Sequence, residues 1–185
     1  IQGCYDGLYV LEKNNNIWAE RNKIEGFNNS SKYFANYDTI NFLVNHEYKG
    51  VFKLTLDKEF TKVVSLKKDN SVAKGLHSSL INYQDKILYS SKKGVYLYDK
   101  KGHTFERDSI YSLLISEDNY VSGELEYDKS SNKLWSFSQE NINYLTPGKL
   151  SDKPTVKSLP ISSLIPKATH GYENIIHLKN EKYLI

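Results

Sequence analysis

Apolar and polar positions alternate along this chain in short bursts, and the bursts recur. The clearest is Gly7-Leu8-Tyr9-Val10-Leu11. It returns as Gly50-Val51-Phe52-Lys53-Leu54, as Gly94-Val95-Tyr96-Leu97-Tyr98 and, with Asn in place of Gly, as Asn141-Ile142-Asn143-Tyr144-Leu145. The spacings are 43, 44 and 47 residues. A second burst precedes it: Asn41-Phe42-Leu43-Val44, Lys86-Ile87-Leu88-Tyr89, Lys133-Leu134-Trp135-Ser136 and Lys182-Tyr183-Leu184-Ile185, spaced by 45, 47 and 49 residues. Two motifs holding one period mark an internal repeat.

A third segment lies upstream: Lys32 to Asn36, Ser79 to Tyr83, Gly123 to Tyr127 and Asn174 to Leu178. Each is followed by a turn rich in Asn, Asp or Lys, whose short polar side chains bond the local backbone. The fourth and least regular segment comprises Ile17-Trp18-Ala19, Phe60 to Leu66, Thr104-Phe105-Glu106 and Thr155 to Leu159. The pattern predicts four short strands per period, the blade of a β-propeller. Sustained apolar spacing of three and four, which a helix needs, is missing. Only Asp108 to Ile115 reads equally well as one helical turn or as loop and strand.

The expected fold is therefore all-β, with about four blades of four antiparallel strands. The approximate repeats are 1–31, 32–77, 78–121, 122–170 and a partial blade 171–185. The chain opens in a second strand, Ile1 to Cys4, and closes in one. Its last strands can complete a blade with its first, or the whole is an arc of a larger ring, which is the expectation taken here. A start at Ile1 without Met and an end inside an apolar run read as a fragment of a longer protein. Gly7, Gly50 and Gly94 begin third strands and are expected at positive φ or close backbone approach.

Composition strengthens the β reading. Aromatic residues make up 13% of the chain and include 15 tyrosines, a residue suited to half-buried pleated surfaces. The net charge is only +3. Its basic pairs, Lys67-Lys68, Lys92-Lys93 and Lys100-Lys101, sit at predicted turns instead of forming a stripe on one element, so no nucleic-acid contact is expected. The lone cysteine, Cys4, can form no internal disulfide and is expected as a small buried side chain. No transmembrane stretch or signal peptide is visible.

The unit Gly75-Leu76-His77-Ser78-Ser79-Leu80-Ile81, then Lys86-Ile87-Leu88-Tyr89-Ser90-Ser91, then Gly94-Val95-Tyr96-Leu97-Tyr98-Asp99 resembles the two-component-regulator propeller repeat. Tyr5-Asp6-Gly7-Leu8-Tyr9 matches its third-strand signature best, and Lys133-Leu134-Trp135 keeps its Trp. The chain departs from the repeat at Asn141 and in lacking an Asp-x-x-Gly turn after each inner strand. The resemblance covers essentially the whole chain. It implies a periplasmic sensor segment of a Bacteroidetes-type regulator, followed there by a tyrosine-rich immunoglobulin-like domain, a membrane span and an output domain. It also implies a glycan or small nutrient as ligand. Neighbouring blades and the Tyr-rich β-domain are the implied partners, with a homodimer as a further option.

Candidate chemistry is sparse. His46, His77, His103, His170 and His177 show no metal-ligand spacing, so no metal or cofactor is expected. The serine pairs lie in turns or at strand ends without a nucleophile motif. Glu124 and Glu126 alternate on one strand and face one side. Propellers recognise ligands at the loops leading into their inner strands. Those are Gly26 to Lys32, Ala73 to Ser78, Ser116 to Ser122 and Lys167 to Asn174, which carry Phe27, Asn28, His77, Tyr120, His170 and Tyr172 as candidate ligand contacts. Trp18 and Trp135 are expected to pack between blades. The function expected is non-catalytic ligand sensing. The alternatives are a propeller enzyme, such as a lyase or glycan hydrolase, and a protein-interaction scaffold.

Overall fold

The structure, a computed structural model, describes residues 1–148, 153–161, 176–178 and 183–184. The first sheet holds β1 (Gln2–Cys4), β2 (Gly7–Asn14) and β3 (Ile17–Lys23). The second holds β4 (Tyr33–Asn36), β5 (Asn41–His46), β6 (Gly50–Leu56) and β7 (Val63–Lys68). The third holds β8 (Ser79–Tyr83), β9 (Lys86–Ser91), β10 (Gly94–Asp99) and β11 (Thr104–Arg107). The fourth holds β12 (Tyr120–Asp128), β13 (Lys133–Ser138), β14 (Asn141–Thr146) and β15 (Thr155–Pro160). A short pair, β16 (Ile176–His177) and β17 (Tyr183–Leu184), follows. Strand order within every sheet is sequence order and all pairing is antiparallel, the up-and-down topology of a propeller blade.

The strand sequences explain their places. The second strands β5, β9 and β13 are buried almost throughout, and a strand covered on both faces reads as a continuous apolar run. Phe42 and Val44 of β5 face back to Leu8, Val10, Ile24 and Phe27. Leu43 faces forward, in a seam with Leu80, Ile87 and Tyr89. On β9 the sides repeat: Leu88 joins Tyr83, Leu125, Leu134 and Leu145 in the third seam. The sheets thus stack face to face in chain order, with first strands β4, β8 and β12 side by side. The outer strands β3, β7 and β15 are mostly exposed and correspondingly polar or mixed.

Side chains stitch each sheet to its neighbour and to the connecting segments between them. Asn45 Nδ2 donates to the Ser78 carbonyl at 2.8 Å. Ser79 Oγ donates to the Gly123 carbonyl at 2.7 Å, and Ser90 Oγ donates to the same oxygen. Ser136 Oγ and Asn143 Nδ2 both reach the Leu114 carbonyl. Leu114 ends a one-turn 3₁₀ helix, Tyr111–Leu114, which decides between the two readings of Asp108 to Ile115.

The third-strand glycines sit at positive φ: +147° at Gly7, +96° at Gly50 and +117° at Gly94. Asn141 does without that conformation; its hairpin is closed by Ser138 Oγ, which accepts the Asn141 N–H at 3.0 Å. Several expectations need correction. Trp135 is 2% exposed, but Trp18 is 64% exposed, because it lies near the tip of the β2–β3 hairpin on the outer strand of its sheet. Cys4 is only half-buried, at the end of β1 beside the Tyr5-Asp6 turn. Phe60 precedes β7 in a left-handed turn (φ +55°) and is not part of the strand.

Candidate functional site

Three of the four predicted ligand loops lead into β4, β8 and β12, and the first two converge with two hairpin tips on one cleft of about 410 Å³. That volume lies within the range of small-molecule sites. Asn28, Asn29, Ser30 and Lys32 come from the first loop and His77 and Ser78 from the second, whereas Ser122, expected in the third, lies within β12. Tyr5 comes from the β1–β2 tip, and Glu47, Tyr48 and Lys49 from the β5–β6 tip.

The first loop is pinned at both ends. Ile24 N–H donates to the Leu8 carbonyl at 2.9 Å, and Ser31 N–H donates to the Cys4 carbonyl at 3.0 Å. Backbone passes so close there that a Cβ on Gly3 would sit 1.9 Å from the Ser31 oxygen. Between the pins, Phe27 turns inward. It is 1% exposed and meets the edge of Phe52 at 5.5 Å between ring centroids. Phe27 is thus a core anchor that orients the loop, while its neighbour Asn28 faces the cleft. The sequence pattern missed this because a single aromatic in a polar loop has no periodicity to show which way it points.

His77 occupies a left-handed turn at φ +56°. Its N–H donates to Glu47 Oε2 at 2.8 Å, and its Nδ1 lies 3.8 Å from the same oxygen. From behind, the Gly123 N–H at 2.8 Å and the Tyr120 hydroxyl at 3.1 Å both donate to the His77 carbonyl. Burial pushes the Tyr120 hydroxyl pKa well above its ordinary value, so it stays a donor. Tyr120 therefore braces His77 without lining the cleft. Asn45, 4% exposed, fixes Ser78 from the other side. His170 and Tyr172 lie outside the described residues.

The two tips differ from their repeat equivalents. Tyr5 is 91% exposed and Tyr48 is 62% exposed. Beside Tyr5, the Asp6 carboxylate accepts from Lys23 at 2.7 Å and from Tyr9 at 2.9 Å. Tyr48 stands edge-on to His46, with ring centroids 6.2 Å apart, and donates its N–H to His46 Nδ1 at 3.3 Å. Burial, then the nearby Lys49 charge, lowers the His46 pKa, which keeps the imidazole neutral near pH 7. Lys49 Nζ donates to Asn29 Oδ1.

Sequence reasoning passed over Tyr5, Asn45, His46, Glu47, Tyr48 and Lys49. The repeat itself held the signal: second–third hairpin tips and the loops into first strands lie at the same end of every sheet. Glu124 and Glu126 are not among the residues lining the cleft. Burial raises the Glu126 pKa, followed by the neighbouring Glu124 charge. Lys32 Nζ is 3.5 Å from Glu124 Oε2. Among the described residues no group of three His, Cys, Asp or Glu is placed to hold a metal.

The arrangement is two exposed phenol rings over a floor of amides, hydroxyls and imidazoles. Such a site can stack on a ring and exchange hydrogen bonds with its polar edge. Neither a scan against family models nor a search of curated proteins returns a match to this chain.

Proposed function

We propose that this chain is the non-catalytic ligand-recognition segment of a bacterial periplasmic signalling regulator, and that the cleft receives a glycan or other small nutrient. One observation carries the reading. The loops into β4 and β8, Ser122 of β12 and two tyrosine-bearing tips meet at one cleft of about 410 Å³. An occupant there touches several blades at once, so its binding free energy depends on how those blades are set. Such coupling lets occupancy shift the relation to neighbouring blades, to a tyrosine-rich β-domain or to a second copy. The regulator and the periplasm rest on the repeat resemblance.

A ligand that binds only the folded chain stabilises it by about 2.7 kcal/mol when present at 100 times its Kd. The test is a screen of oligosaccharides, amino acids and short peptides for a raised unfolding midpoint, repeated with Tyr48→Ala. A hit abolished by Tyr48→Ala supports the reading. A screen without hits, or hits indifferent to the cleft, removes it.

The Glu47–His77 pair, 3.8 Å apart, favours a second reading as a glycan lyase or hydrolase. In that case the chain would cleave the glycan it binds, and Glu47→Gln would stop turnover while leaving binding in place.

A further inference from the structure

We propose that the cleft selects an acidic sugar, a hydroxyl-rich ring bearing a carboxylate, with Lys49 as the counter-charge; this rests on the ligand-recognition reading above. The four equivalent hairpin tips provide the first argument. Those at the cleft carry Tyr5 and Tyr48, whereas the other two carry Lys92-Lys93 and Gln139-Glu140. Flat, exposed phenol rings are placed only where the cleft opens, and the face of a sugar ring matches them.

The lining provides the second. Asn45 and Ser78 are bonded to each other and Ser122 Oγ accepts the Glu124 N–H at 2.8 Å, while Asn28 and Ser30 present neutral groups that both donate and accept. Sugar hydroxyls do the same, so each can be satisfied in either sense.

The third is the state of Lys49. Lys23 is paired with Asp6 at 2.7 Å, Lys53 with Asp69 at 2.8 Å, and Lys93 with Glu117. Lys49 is held instead by the neutral amide oxygen of Asn29, itself a cleft residue. Its ammonium is thus positioned at the cleft wall by a partner that leaves its charge uncancelled. The nearby carboxylate, Glu47, keeps its charge but is turned to the His77 N–H at 2.8 Å and, among the described residues, forms no ion pair with Lys49. His46 stays neutral beside it through burial and the Lys49 charge. Lys32, the other cation of the lining, is turned toward Glu124 Oε2 at 3.5 Å, so Lys49 is the cation set next to the ring-stacking surface and hydroxyl partners.

The experiment is calorimetric titration of the full 185-residue chain with matched sugars differing only at C6. Glucuronate is compared with glucose, and galacturonate with galactose, each as the monosaccharide and as a short oligomer. A charge-assisted contact predicts that a uronate binds about ten- to hundred-fold more tightly than its neutral match. The preference should shrink as salt rises from low to about 0.5 M. Lys49→Gln should bring each uronate and its neutral match to similar affinity, erasing the preference, while Tyr48→Ala weakens both. Equal or tighter binding of the neutral sugars, or a preference that survives Lys49→Gln, overturns the inference and leaves ligand recognition standing. Binding of peptides or amino acids alone does the same. Absence of any ligand for the cleft overturns both.

Discussion

Replacing Phe27 separates a packing role from a binding role. The side chain is 1% exposed, among Leu8, Ile24, Phe42 and Leu54, with its ring set against Phe52. Truncation of a fully buried Phe to Ala costs about 3–5 kcal/mol, the larger values belonging to sites that cannot collapse. This site is rigid: hydrogen-bonded ladders hold β2 and β6 on either side, and the Phe27 carbonyl lies against Gly7, where a Cβ would approach it to 2.6 Å. Phe27→Ala should therefore cost about 4 kcal/mol, against about 5–15 kcal/mol for a whole domain. With a urea slope of about 2 kcal/mol/M, the midpoint falls by about 2 M, read by far-UV circular dichroism. Phe27→Leu fills most of the space and should cost less than about 1.5 kcal/mol, with ligand affinity at the cleft unchanged. The reasoning is refuted if Phe27→Ala costs under about 1 kcal/mol, or if Phe27→Leu keeps stability but loses the ligand.

The two tryptophans should diverge in the same assay: Trp135→Ala, at 2% exposure, should cost about 3–5 kcal/mol, and Trp18→Ala, at 64%, should fall within about 0.5 kcal/mol of the parent. Gly3→Ala should destabilise by several kcal/mol and expose the first cleft loop to proteolysis, because the Ser31 backbone would have to move from 1.9 Å; wild-type resistance would contradict this. Tyr83 is buried with no hydrogen-bond partner for its hydroxyl among the described residues, and burial pushes its pKa from 10.0 up to about 12. Its folded state favours the neutral phenol, so that stability is complete below pH 10 and is lost as pH rises from 10 toward 12; Tyr83→Phe should flatten this alkaline slope and leave stability at pH 7 the same or slightly higher. The Asp57 pKa is lowered from 3.8, first by the Lys62 N–H and then by the Thr61 hydroxyl. Its contribution is present above pH 3.8 and disappears as pH falls through the lower folded value; unfolding midpoints of Asp57→Asn between pH 2 and 6 should show a shallower acid slope.

The recurrence of Gly-Val-Phe and Gly-Val-Tyr after Phe-Leu-Val and Ile-Leu-Tyr made the strand order legible, because middle strands buried on both faces must be apolar throughout. The turn glycines were readable for the same reason, since few other residues accept φ near +100°. Outer strands were harder. Ile17-Trp18-Ala19 has the composition of a packed strand, and only its place at the margin of the sheet exposes it. The cleft was half legible. The loops into the first strands were located by topology, and Asn28 and His77 are indeed brought together. Tyr48 and Lys49 stayed hidden because a hairpin tip reads as a solvated turn until the neighbouring loop is seen beside it. Phe27 failed in the opposite sense: its direction is set by long-range contact with Phe52, which no local pattern records.

Each of the three apolar seams is shared by sheets that are consecutive along the chain, and the stitching side chains reach only an adjoining sheet or connecting segment. Such an architecture assembles from one end without waiting for the other, one hairpin set settling onto its predecessor as it emerges. The same economy bears on ancestry. Gain or loss of a complete unit leaves every remaining ladder intact, so the number of blades is free to drift while the cleft, confined to adjoining units, travels as a cassette.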